Sequence, residues 1–241
     1  MEVIFGVMQS ANFSKRTFAS RAALDAELAD AVAGRLAAAI DQRGRALLVV
    51  SGGTTPLNFF RLLAGRDLPW RQVTVTLADE RWVPPDHADS NQRLVAENLL
   101  VGAASAAQFI PLWRPAPTVA AAADLLDPLL AALDVIDVLM LGMGGDGHTA
   151  SLFPQASALA AGLDMQSNRA CIAVDPVAAP HARLSMTLPR LLRSRAIFIQ
   201  ITGAEKMVVL ESAASTSDAM RWPVSAILRQ PLVPVTVYWS N

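Results

Sequence analysis

A chain of 241 residues, 53 % hydrophobic and 17 % charged, has the material for one sizeable core. Its formal net charge of −1, without a polybasic segment, gives no electrostatic footprint for nucleic acid or a membrane surface, and no uncharged apolar stretch reaches spanning length. The single cysteine, Cys171, excludes an intramolecular disulfide framework. Set in the apolar run 170–174, it reads as a buried structural thiol. The chain does not open on a charged segment followed by an apolar one, so no secretory signal is indicated and a cytoplasmic protein is the expectation.

In chain order, residues 21–42 carry Ala22, Leu24, Leu28, Val32, Leu36 and Ile40 at helical spacing, and Gly44 follows as a stop. Residues 46–50 are a continuous apolar run, hence a buried strand. Residues 55–63 read as a helix with Pro56 in the first turn, where proline is tolerated. Residues 73–77 are rich in β-formers. Residues 91–100 look helical, with Ser90 as N-cap. Residues 111–120 form a surface connection, and 119–133 an alanine- and leucine-rich helix. Residues 135–141, 171–174, 197–201 and 233–239 are further strands. Residues 204–213 form a helix opened by Gly203, and 154–169 read as an irregular, small-residue loop. Strands separated by helices imply a mostly parallel sheet covered on both faces.

The most informative stretch is Gly142-Met143-Gly144-Gly145-Asp146-Gly147-His148. It follows the strand at 135–141, and the carboxyl end of a parallel strand is where ligands collect. Asp146 and His148 are its only titratable side chains. A histidine on a glycine-stripped loop approaches a substrate closely and titrates near neutral pH, the layout of a general base with an acidic neighbour. Ser51-Gly52-Gly53-Thr54-Thr55-Pro56 joins a strand to a helix. Its glycines and the helix N-terminus form a seat for phosphate or another anion, though it matches neither the Walker loop nor the dinucleotide turn. Taken alone, Asp79-Glu80-Arg81 reads as a surface salt-bridge cluster. The alternation in Pro180–Thr187 places Arg183 and Ser185 on one face. Lys206 lies in the first turn of its helix, against the helix dipole, and a bound anion would relieve that conflict. His87 and His181 lie in proline-flanked loops and read as surface residues. The three histidines lack metal-ligand spacing, so no metal site is expected.

Together these blocks resemble the 6-phosphogluconolactonase family. The resemblance rests on 51–56, on 79–84 with Ser90-Asn91, on 142–154, on 180–187 and on Thr202-Gly203-Ala204-Glu205-Lys206, in the family's order and across most of the chain. It implies a Rossmann-like α/β fold of the glucosamine-6-phosphate deaminase type, one domain over 1–241. It also implies hydrolysis of 6-phosphoglucono-1,5-lactone to 6-phosphogluconate, the second step of the oxidative pentose phosphate pathway. By position, His148 resembles the catalytic base and Asp146 and Asp79 the active-site acids. Ser51, Gly52, Gly53, Thr54, Arg81, Asn91, Arg183 and Lys206 resemble substrate- and phosphate-binding positions. The expected partner is a small sugar-phosphate lactone and the expected state a monomer, with no cofactor, because a δ-lactone is an activated ester that needs neither metal nor covalent nucleophile. Two alternatives stand beside this. A glucosamine-6-phosphate deaminase would carry glutamate where this chain has Phe153, and a phenyl ring shuttles no protons. A sugar-phosphate-binding module would keep the phosphate seat without turnover.

Overall fold

The computed structural model describes residues 12–241, so the expectation about a secretory signal lies outside the described residues. Within them the first half of the chain forms β1 (Phe13–Phe18), α1 (Arg21–Arg43), β2 (Ala46–Val50), α2 (Leu57–Ala64), β3 (Val73–Leu77), β4 (Asp79–Arg81), α3 (Asn91–Asn98), β5 (Gln108–Ile110) and α4 (Val119–Ala131). The second half forms β6 (Val138–Leu141), α5 (Leu159–Leu163), β7 (Cys171–Val174), β8 (Arg183–Met186), α6 (Leu188–Leu191), β9 (Ile197–Thr202), α7 (Ala204–Ala214), α8 (Val224–Arg229) and β10 (Val235–Ser240).

Seven strands make a wholly parallel sheet in the order β1-β10-β9-β6-β2-β3-β5. Every residue of β2 and β6 is buried. Since alternate side chains point to opposite faces, this means that both faces are covered, which is why these strands read as unbroken apolar runs. α1 supplies part of that cover through Leu24, Leu28, Val32, Leu36 and Ile40. Its N-cap Ser20 accepts from the Ala23 amide at 3.2 Å, and Gly44 ends it in the left-handed conformation, φ 72°.

From β2 the chain moves outward to β3 and β5, then returns to the other side of β2 to lay down β6, β9 and β10. The carboxyl ends of β2 and β6 are therefore a topological switch point, where an open α/β sheet binds its ligands. The Ser51 amide donates to the Met140 carbonyl at 2.9 Å, so the two loops leave the sheet side by side.

Three readings of the sequence are corrected here. The segment 171–174 is a strand, but of a second, antiparallel sheet ordered β4-β8-β7. That sheet was missed because β4 has only three residues, all charged, and follows β3 after Ala78 alone. Residues 154–169 are not wholly irregular. They contain α5, whose Leu159 and Gly162 are buried. Residues 135–137 precede the strand rather than belonging to it. The buried Asp137 carboxylate there accepts from the Leu47 amide at 2.8 Å.

Candidate active site

The glycine loop after β6 folds back on itself. The Gly147 amide donates to the Gly144 carbonyl at 3.1 Å, and the Gly144 amide to the His148 carbonyl at 2.9 Å. The turn brings His148 Nδ1 to 2.5 Å from Asp146 Oδ1, which also accepts from the His148 amide at 3.1 Å. Gly144 is required by contact: a Cβ there would lie 2.1 Å from His148 Nδ1 and 2.5 Å from Asp146 Oδ1. Burial pushes the Asp146 carboxyl up, but hydrogen bonds from the His148 ring and amide and the nearby imidazole charge outweigh it. The net shift is below the usual carboxylate value. An ionised Asp146 holds the proton on Nδ1 and leaves Nε2 as the basic nitrogen. Phe153 packs on the imidazole with ring centroids 4.2 Å apart.

The opposite wall is built on β4 and the start of α3. Glu80 is fully buried. Its carboxylate accepts from the amides of Arg81, Asn91 and Gln92, each at 2.7 Å, and from Ser90 Oγ at 3.2 Å. Glu80 is thus the clasp that fixes α3 to β4. Burial raises its pKa, against the pull of the backbone bonds. Asn91, so fixed, donates from Nδ2 to the Asp79 carbonyl at 2.9 Å, and its Oδ1 lies where any side chain at residue 52 would have to pass. Asp79 accepts from Ser151 Oγ at 2.6 Å. The expectation of a surface salt-bridge cluster at 79–81 is therefore wrong for both acids, which are buried where β4, paired with β8, meets the start of α3 and Ser151.

The antiparallel pairing sets Arg81 directly opposite Arg183. Like charges in that register repel. Burial, and after it the charge of Arg81, lowers the pKa of Arg183. Each arginine also hangs from a rim carbonyl, Arg81 Nη1 from Asp89 at 2.5 Å and Arg183 Nη2 from Pro180 at 3.0 Å. Lys206 is not a solvated surface lysine. Its ammonium donates to the Met143 carbonyl at 2.7 Å, and burial lowers its pKa while Asp146 opposes that.

Between these walls lies a cavity of about 320 Å³. All the sequence-predicted site residues line it except Asp146, which stands behind His148. Four lining residues, Ser51, Asn91, Arg183 and Gln200, each point a buried polar atom without a protein partner. Buried polar atoms are almost always paired in a folded protein, so this concentration marks a surface built for a polar ligand. Gln200 escaped sequence reasoning because it sits inside an apolar strand. Its amide is held at 2.5 Å by the buried Asp25 carboxylate of α1.

Fold and site together define a doubly wound α/β protein whose switch-point pocket pairs a histidine–aspartate couple with a cluster of cations. A model of the glucosamine-6-phosphate isomerases/6-phosphogluconolactonase family matches residues 19–239, and the chain belongs to that family. It is 47 % identical over 216 residues to a 6-phosphogluconolactonase of Pseudomonas putida, covering 90 % of this chain and 88 % of the other. The crystal structure of a 6-phosphogluconolactonase from Shewanella baltica superposes with a TM-score of 0.92 at 41 % identity, covering 95 % of this chain and 98 % of that one. The fold is also that of a monomeric glucosamine-6-phosphate deaminase, TM-score 0.79 at 18 % identity over 95 % of this chain and 98 % of that one.

Proposed function

We propose that this protein hydrolyses 6-phosphoglucono-1,5-lactone to 6-phosphogluconate, with His148 as general base. The observation that carries the reading is the His148–Asp146 couple on the glycine loop, facing a cavity lined by Arg81, Arg183 and Lys206. A dianionic phosphate relieves the repulsion between the cross-strand arginines, and the Ser51–Thr54 turn adds polar contacts beside them. Phosphate binding then positions the ring, and its energy is spent at the distant C1 carbon.

Nε2 of His148 takes a proton from water as the water oxygen bonds to C1. Asp146 steadies the imidazolium that forms. The carbonyl oxygen becomes an oxyanion. Two amides of the glycine loop, Gly144 and Gly147, are already bonded within the loop, so charged donors of the cavity carry more of its stabilisation. When the tetrahedral centre collapses, the C1–ring oxygen bond breaks. His148 returns its proton to that oxygen, and the new acid ionises to the carboxylate. Phe153, stacked on the base, supplies apolar surface and no second acid–base group, which favours lactone hydrolysis over the deaminase reaction. Asp79, held by Ser151 and lining the same cavity, is placed to accept from a sugar hydroxyl.

The test is hydrolysis of freshly generated lactone with the spontaneous rate subtracted. His148→Ala should lose nearly all acceleration while still binding 6-phosphogluconate. Arg81→Ala should raise KM about 10-fold or more, the worth of one charge-assisted contact. No acceleration by folded wild-type protein would sink the reading, and ammonia release from glucosamine 6-phosphate would replace it.

A further inference from the structure

Two loops meet at the rim of the cavity, 84–90 before α3 and 175–182 before β8. His87 and Asp89 stand on the first and His181 on the second. His181 Nε2 lies 2.8 Å from Asp89 Oδ2, and His87 Nδ1 lies 3.9 Å from the same oxygen. The two imidazoles meet edge to face with centroids 5.3 Å apart. One nitrogen from each ring and one carboxylate oxygen all fall within 4.8 Å of one another. Ligands about 2.0–2.1 Å from a tetrahedral ion are separated by roughly 3.4 Å, so closing the set changes each separation by no more than about 1.4 Å. None of the three residues is used by the proposed chemistry.

The backbone supports the arrangement. His181 has φ 66°, a conformation few residues other than glycine adopt. It is held there by its neighbours, since Pro180 accepts from Arg183 and the Ala182 carbonyl from the Trp82 amide at 2.8 Å. An observed backbone outlier of this kind, over-determined by its surroundings, is a pointer to function. Its effect here is to bring the His181 ring against Asp89. His87 Nδ1 accepts from the Asp89 amide at 3.1 Å, so coordination through that nitrogen displaces this hydrogen bond.

We propose that His87, Asp89 and His181 form a binding site for a divalent transition-metal ion of the zinc class, clipping the two rim loops together. Two imidazoles and one carboxylate suit zinc, cobalt or nickel, whereas magnesium and calcium require oxygen donors. Arg81 lies beside Asp89, so the ion competes with a cation already present, which sets a moderate affinity. The same two loops carry the carbonyls from which Arg81 and Arg183 hang. Metal occupancy therefore stiffens the mounting of both arginines without touching the reacting carbon. The site does not depend on the lactonase reading.

Its test uses Zn²⁺ alone, titrated into the full-length protein in competition with a chromophoric chelator. Wild-type protein and His148→Ala should each take up one equivalent. His181→Ala and Asp89→Asn should bind about 10-fold or more weakly. His87→Gln serves as the third variant should either of those fail to fold. Co²⁺ in place of zinc should give the visible absorption of a low-symmetry site, and the rim variants should lose it. Absence of saturable uptake by wild-type protein overturns the proposal. So does uptake that survives the rim variants, or that disappears only in His148→Ala, since the ion would then sit on the catalytic couple.

Discussion

At the scale of single residues, the couple His148–Asp146 divides its labour by environment. Asp146 has its pKa depressed on folding, so the folded state favours its charged form. Its stabilising effect is present above the unfolded carboxyl pKa and is lost as pH falls through the depressed folded value. Over neutral and mildly acid pH the carboxylate is therefore charged and fixes the imidazole tautomer. Asp146→Asn removes the charge and, with an amide facing Nδ1, no longer selects that tautomer. We expect kcat to fall by roughly 10²–10⁴-fold with little change in KM, read in steady-state hydrolysis of the lactone. A KM effect alone would show that Asp146 binds substrate instead. Cys171 is the opposite case. Burial pushes its thiol up to about 12, so it carries no thiolate at neutral pH. Native protein should not react with a thiol reagent, and one equivalent should react after denaturation.

Elements decide whether those residues meet. The glycine loop can fold the imidazole onto the carboxylate only because residue 144 has no side chain. Gly144→Ala drives a methyl into the His148 ring, and the far end of that side chain must move. A displacement near 1 Å at a catalytic group is worth about 10²-fold in rate. The expected result is such a loss of kcat with an unchanged thermal midpoint; a drop of the midpoint instead would mean that the loop's fold, not its geometry at the base, depends on Gly144. This element was the most legible in the sequence, because an apolar strand runs directly into a glycine-rich stretch whose only titratable side chains are Asp146 and His148. The small sheet was not legible. β4 is short and wholly charged, β8 has four residues, their pairing joins residues about 100 positions apart, and no local pattern records such a contact. Glu80 shows the same limit. Two adjacent acids look like surface until the carboxylate is seen closing the start of α3. The cluster of His87, Asp89 and His181 is likewise assembled by tertiary structure from distant loops.

At the scale of the whole molecule, the apolar strands and helices read from the sequence merge into one contiguous core spanning the parallel sheet and the small sheet alike. Among the described residues there is no helix long and apolar enough to cross a membrane. One shared core argues for one cooperative unit, so we propose a single domain. Urea unfolding should give one transition, coincident by far-ultraviolet circular dichroism and tryptophan fluorescence. Separate transitions would divide the small sheet from the parallel one. The sheet edges bear on assembly. β1, at one edge, displays Lys15 and Arg16, and β5, at the other, has three residues. Charged or very short edge strands are poor templates for pairing with a second copy. The apolar residues left exposed include Leu125 and Leu129, one turn apart on α4, a patch too narrow for a stable interface by itself. Sedimentation equilibrium should therefore return the monomer mass of 25.6 kDa at micromolar concentration. A dimer that reverts to monomer in Leu125→Asp would place an interface on the exposed face of α4, opposite the buried residues Ala122, Ala123, Leu126 and Leu130, and overturn the proposal of a monomer.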